Sequence, residues 1–138
     1  MESKNWAGYE EVRHTADWAL RVWAPDPVEL MRQAAAGMQA LMGVKLTDKE
    51  QQRKPIDCSA GDLESLLVAF LNEILYWIES EGIACEEFDL ALDGCRLSGT
   101  AICRKISSLE KEIKAVTFHN LAVRKKDDLF ETTIVFDV

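Results

Sequence analysis

A chain of 138 residues, 48% hydrophobic and 29% charged, is long enough to close a hydrophobic core and has the composition of an ordinary globular domain. Its 24 acidic and 16 basic residues leave a net charge of -8, which excludes nucleic-acid binding driven by the protein's own positive surface and suits a basic partner. No apolar run reaches the roughly 20 residues of a membrane helix, and Met1-Glu2-Ser3-Lys4 leads into no apolar stretch. The expectation is one cytoplasmic domain over residues 1–138.

In chain order, residues 11–23 alternate in character. His14, Ala16, Trp18, Leu20 and Val22 fall on one side; Arg13, Thr15, Asp17, Ala19 and Arg21 fall on the other, which predicts one strand with Asp17 on its polar face. A helix starts at Asp26-Pro27-Val28-Glu29, with Asp26 as the cap, Pro27 in the first helical position and Glu29 completing a capping-box pattern. Val28, Met31, Ala35, Met38 and Met42 form its apolar stripe, and Gly43 ends it. After a short strand, a second helix starts near Ser59, with Asp62 in its first turn. Leu63, Leu66, Leu67, Phe70, Leu71, Ile74, Leu75 and Ile78 recur at three- and four-residue steps, and Gly82 closes the helix.

Residues 88–92 and 96–104 flank Asp93-Gly94 and predict a hairpin. A further strand pair, 113–123 and 129–138, is joined through Lys125-Lys126-Asp127-Asp128. In the last strand Phe130, Ile134, Phe136 and Val138 share one face, and Asp137 lies on the other with Glu131, Thr133 and Val135. Strands, helix, short strand, helix and strands make an α+β fold: a two-layer domain with a mostly antiparallel or mixed sheet and both helices packed on one face.

Chemistry-bearing residues are few. Cys58, Cys85, Cys95 and Cys103 form no C-x-x-C pair, and with only His14 and His119 there is no zinc-ligand spacing. The cysteines are expected to be reduced and mostly buried. No phosphate-binding glycine motif is present, and no Ser or Cys nucleophile has a matching base. Trp18, Trp23 and Trp77 read as packing residues. Asp17, Asp137 and the terminal carboxylate of Val138 offer oxygen donors alone, which suits calcium, magnesium or manganese if the terminal strands are neighbours; two solvated acids are the other reading. His14 is either a hydrogen-bonded core histidine or a base. Lys114, the one charged residue in residues 113–118, either reaches a ligand or guards a strand edge.

Four blocks together resemble the archease family. They are Tyr9-Glu10 leading to His14-Thr15-Ala16-Asp17, residues 62–73 (Asp62 to Glu73), Ile113-Lys114-Ala115-Val116-Thr117-Phe118-His119, and Val135-Phe136-Asp137-Val138. They occur in the family's order and spacing over nearly the whole chain. The departure is residues 99–112, where the family often has an acid after the glycine and a histidine downstream; here Thr100 follows Gly99, and there is no histidine around Ser107.

The resemblance implies a small α+β accessory protein, not itself an enzyme, of the RtcB-type RNA ligase of tRNA splicing and RNA repair. Its role would be to promote guanylylation of the ligase's active-site histidine with GTP and to allow multiple turnover, meeting tRNA only through the ligase. The family's metal positions map onto Asp17, Asp137 and Val138, with calcium as the family's ion and manganese or magnesium as the other candidates. On that reading Lys114 contacts phosphate or the partner, and His14 orients Asp17. Two alternatives stand beside it: a chaperone-like adaptor of another RNA-processing or RNA-methylating enzyme without metal chemistry, and a metal-dependent hydrolase using Asp17 and Asp137.

Overall fold

The structure, a computed structural model, describes residues 6–13 and 17–138. The first strand, β1 (Gly8–Val12), pairs antiparallel with β2 (Trp18–Ala24), running from Gly8 opposite Trp23 to Val12 opposite Ala19. The single strand expected over residues 11–23 is therefore divided between two antiparallel strands. Alternation cannot tell one strand from two when the pattern runs on between them.

Helix α1 (Pro27–Leu41) begins as its sequence dictates. The Asp26 carboxylate accepts the Glu29 N–H at 2.8 Å, Pro27 takes the first position, and Gly43 adopts a left-handed φ of 68° just past the end. Glu29 then holds Arg32 at 3.0 Å and Gln33 at 2.8 Å. Two strands follow, β3 (Lys45–Leu46) and β4 (Gln52–Ser59). Helix α2 (Leu63–Glu81) starts later than expected. Ser59 belongs to β4, paired with Arg96, and Asp62 is itself the cap, accepting the Ser65 N–H at 2.7 Å. The cap cannot sit in the first turn because its carboxylate must reach forward to an N–H three residues on. Gly82 closes the helix in a left-handed conformation, its N–H bonded to the Trp77 carbonyl.

The hairpin around Gly94 is present and longer than expected, as β5 (Ile83–Asp93) and β6 (Arg96–Ser108). The last region departs further. Residues 113–123 carry only β7 (Ala115–Val116); the chain then turns, with the Leu121 N–H on the Phe118 carbonyl and Asn120 at φ 52°, before β8 (Arg124–Lys126) and β9 (Leu129–Asp137). Asp127 and Asp128 both adopt positive φ, the geometry of a tight hairpin turn between β8 and β9.

The strands divide between two antiparallel sheets. One runs β1-β2-β9-β7, with β8 also on β9; in the other, β6 is central, with β5 on one side and β4 and β3 on the other. Each sheet buries one face. Leu20, Val22, Ile134 and Phe136 of the first sheet and Leu97, Ala101 and Cys103 of the second meet the apolar stripes of both helices in one core. Phe70, Leu66, Leu67, Leu71 and Ile74 of α2 are fully buried in it, each contributing about 1.5–3 kcal/mol. The fold is α+β, as the sequence predicts. Among the described residues no helix is long and apolar enough to cross a membrane.

Candidate functional site

Strand β9 lies between β2 and the short β7, so segments from opposite ends of the sequence are neighbours. The β2–β9 register pairs Trp18 with Phe136, Ala19 with Val135 and Leu20 with Ile134. That register ends at Trp18 and Phe136; Asp17, an exposed bend residue, and Asp137, the last residue of β9, are next to it on their two strands. Asp137 is exposed, and its main-chain carbonyl accepts the Lys114 N–H at 2.7 Å, which fixes the end of β9 from the other side.

Asp17 and Val138 line one shallow hollow of about 290 Å³ together with Glu11, Arg13, Trp18 and Lys111. Arg13 is engaged by Glu11 at 3.3 Å, and the Lys111 ammonium lies 4.5 Å above the Trp18 ring. Trp18 in turn meets Phe136 edge-on at 6.4 Å. Sequence reasoning missed Lys111. It comes from the divergent segment and reaches Trp18 because the Glu110 and Lys111 N–H groups both bond the Met42 carbonyl at the end of α1. No local pattern signals such a contact.

Asp137 does not line this hollow, and Lys114 contributes to a different one with Glu79 and Glu112. His14 lies outside the described residues. His119 sits on the exposed turn after β7, its N–H on the Thr117 hydroxyl and its ring Nε2 3.3 Å from the Asn120 amide.

Polar residues of α2 hold the segment that flanks β9. The Asn72 amide oxygen accepts the Val116 N–H at 3.2 Å, and the Glu64 carboxylate accepts the Val123 N–H at 2.8 Å. Residues 62–73 and 113–123 are thus mechanically joined: Asp62 caps the helix, while Asn72 fastens Val116 and Glu64 fastens Val123 to it.

Among the described residues, no three His, Cys, Asp or Glu side chains converge as a metal-holding group. The Asp17, Asp137 and Val138 set has two acidic side chains and a main-chain carboxyl group as its third donor. Its chemistry fits a hard divalent cation, because every donor is an oxygen.

A model of the Archease protein family (MTH1598/TM1083) matches residues 9–138. The chain belongs to the archease family. The Methanopyrus kandleri archease is 30% identical over 94% of this chain and 99% of its own length; that of Methanosarcina barkeri is 32% identical over 94% and 95%. Among solved structures, an archease of Thermotoga maritima, described as a possible chaperone, superimposes with a TM-score of 0.71 at 28% identity, covering 94% of this chain and 96% of that one. Protein 1598 of Methanobacterium thermoautotrophicum gives a TM-score of 0.69 at 27% identity over 95% and 99%. The archease match begins at Tyr9 in β1 and runs through β9, so it includes the paired strands β2 and β9.

Proposed function

We propose that this archease-family protein activates an RtcB-type RNA ligase by promoting guanylylation of the ligase's active-site histidine and multiple turnover, without being an enzyme itself. The observation that supports the reading is the β2–β9 register, whose last pair, Trp18 and Phe136, is one residue from Asp17 and from Asp137. Asp17, Asp137 and the Val138 carboxyl group would hold a divalent cation, calcium in the family or manganese or magnesium. When bound, the ion supplies positive charge to triphosphate oxygens.

The chain's own part is positional. Trp18 and Phe136 stiffen the end of the β2–β9 pair from the core side, and the Lys114 N–H pins the Asp137 backbone. This presents the carboxylates on an exposed rim of an acidic protein, suited to a basic cleft that binds RNA. Lys114 contacts phosphate or the ligase, and tRNA is met only through that partner. The work belongs in the cytoplasm, where tRNA is processed.

Single-turnover guanylylation of the cognate ligase with GTP and manganese tests this. Stimulation by the wild type, lost in Asp17→Ala and on removal of Asp137-Val138, is the expected result; equal stimulation by all three overturns the metal role. A second reading, a chaperone-like adaptor of another RNA-processing or RNA-methylating enzyme, is favoured by the Thermotoga relative's description as a possible chaperone. That reading predicts full activity in chelator and in Asp137→Asn.

A further inference from the structure

Cys85 on β5 and Cys103 on β6 are register partners, and their sulfurs lie 3.3 Å apart. Both are buried and, like the other two cysteines, free. The Cys85 backbone shows what kind of pair this is. Its N–H donates to the Gln39 amide oxygen at 2.9 Å, and its carbonyl accepts from the Gln39 amide nitrogen at 2.7 Å. Both groups therefore point away from β6 and toward α1, as in a non-hydrogen-bonded cross-strand pair. Such pairs bring Cα atoms to about 4.5 Å, inside the roughly 4.4–6.8 Å range that a disulfide spans. Just beyond Cys85 the register skips Glu86, a bulge that locally loosens β5.

We propose that Cys85 and Cys103 form an oxidative modification site, a dithiol that peroxides convert to a cross-strand disulfide. This rests on the β5–β6 register and is independent of the ligase reading. Cys85 lines an open cavity of about 410 Å³ with Gln39, Glu86 and Phe88, through which a peroxide reaches the pair when the outer strand β5 opens locally. The hydrogen bond to Cys103, aided by burial, holds Cys85 protonated; the same hydrogen bond lowers the Cys103 thiol below its ordinary value. Cys103 is therefore the attacking thiolate.

Its sulfur breaks the O–O bond of hydrogen peroxide and becomes a sulfenic acid. The departing hydroxide takes the Cys85 proton and leaves as water. The Cys85 thiolate then attacks the Cys103 sulfur, the S–S bond forms, and a second hydroxide is expelled, which solvent protonates. Two thiols are oxidised, one peroxide is reduced, and two waters form.

The test treats the folded full-length protein with hydrogen peroxide, counts thiols after denaturation, and maps cross-linked peptides by mass spectrometry. The expected result is a fall from four thiols to two, with a Cys85–Cys103 link and loss of two hydrogens, all reversed by dithiothreitol. The Cys58→Ser/Cys95→Ser double variant leaves the pair intact and should fall from two thiols to none. Retention of all four thiols, a link through Cys58 or Cys95, or oxidation to sulfinic acid without a cross-link each overturns the proposal.

Discussion

The Asn72 amide oxygen accepts the backbone N–H of Val116 at 3.2 Å, so one side chain of α2 holds the short strand that borders β9. The bond is half-buried, and an unpaired N–H there costs about 1–2 kcal/mol. Asn72→Ala should lower stability by about that amount and speed amide exchange at Val116. Asn72→Asp, which keeps an acceptor, should lose less. Urea unfolding and residue-resolved hydrogen exchange check both.

Gly99 in β6 has a φ of 146°, and a Cβ there would lie 1.9 Å from the Asp89 carbonyl oxygen on β5. Backbone meets backbone, so no side-chain rotation relieves the clash. Gly99→Ala should destabilise by about 3 kcal/mol or more. Gly61, with nothing within 4 Å of its added Cβ, is the control; Gly61→Ala should stay within about 0.5 kcal/mol. Denaturant midpoints at constant slope decide it.

Acid sensitivity should report on the α2 cap. Hydrogen bonds from the Ser65 backbone, then from its side chain, hold the Asp62 carboxyl below its ordinary value. A depressed folded-state pKa stabilises fully above the unfolded value, near ~4, and is lost as pH falls through the lower folded value. Asp62→Asn keeps a capping oxygen but does not titrate. The stability gap between wild type and Asp62→Asn should therefore narrow on acidification, measured by urea midpoints from about pH 6 down to about pH 2.

At the acidic end, two substitutions should move cation affinity in opposite directions. Asp17→Asn removes a negative charge and one carboxylate oxygen and should weaken calcium or manganese binding by on the order of tenfold or more. Lys111→Met removes a positive charge lining the same hollow and should tighten binding by roughly threefold, the scale of one exposed charge interaction. Titration calorimetry on the isolated protein reads both, and the same sign for the two would sink the assignment.

The α1 cap, the Gly43 and Gly82 helix ends, and the apolar stripes were legible because each signal lies within a few residues. So was the hairpin at Gly94. The split of residues 11–23 into two strands was not, since the alternation continues from one strand to the next. Nor was the shortness of β7, whose apolar residues read as strand while Asn72 bonds the strand itself and Glu64 holds Val123 beyond it, both far away in sequence. The placement of Asp17 on the outer face followed from alternation. The pairing of β2 with β9 depended on a sheet register that no local pattern encodes, and the same is true of Lys111 over Trp18.

Arg21 and Glu131, joined at 3.3 Å across β2 and β9, are 110 positions apart. At a synthesis rate of about 5–20 residues per second, a ribosome takes roughly 5 to 20 seconds to travel from one to the other. Throughout that interval β2 has β1 on one side and an open row of backbone donors and acceptors on the other, a surface on which nascent chains can pair with one another. Arg21, lying 4.7 Å over Trp23, places a positive charge on that waiting edge. Yield during rapid expression should therefore depend on Arg21 more steeply than the stability of the finished protein does.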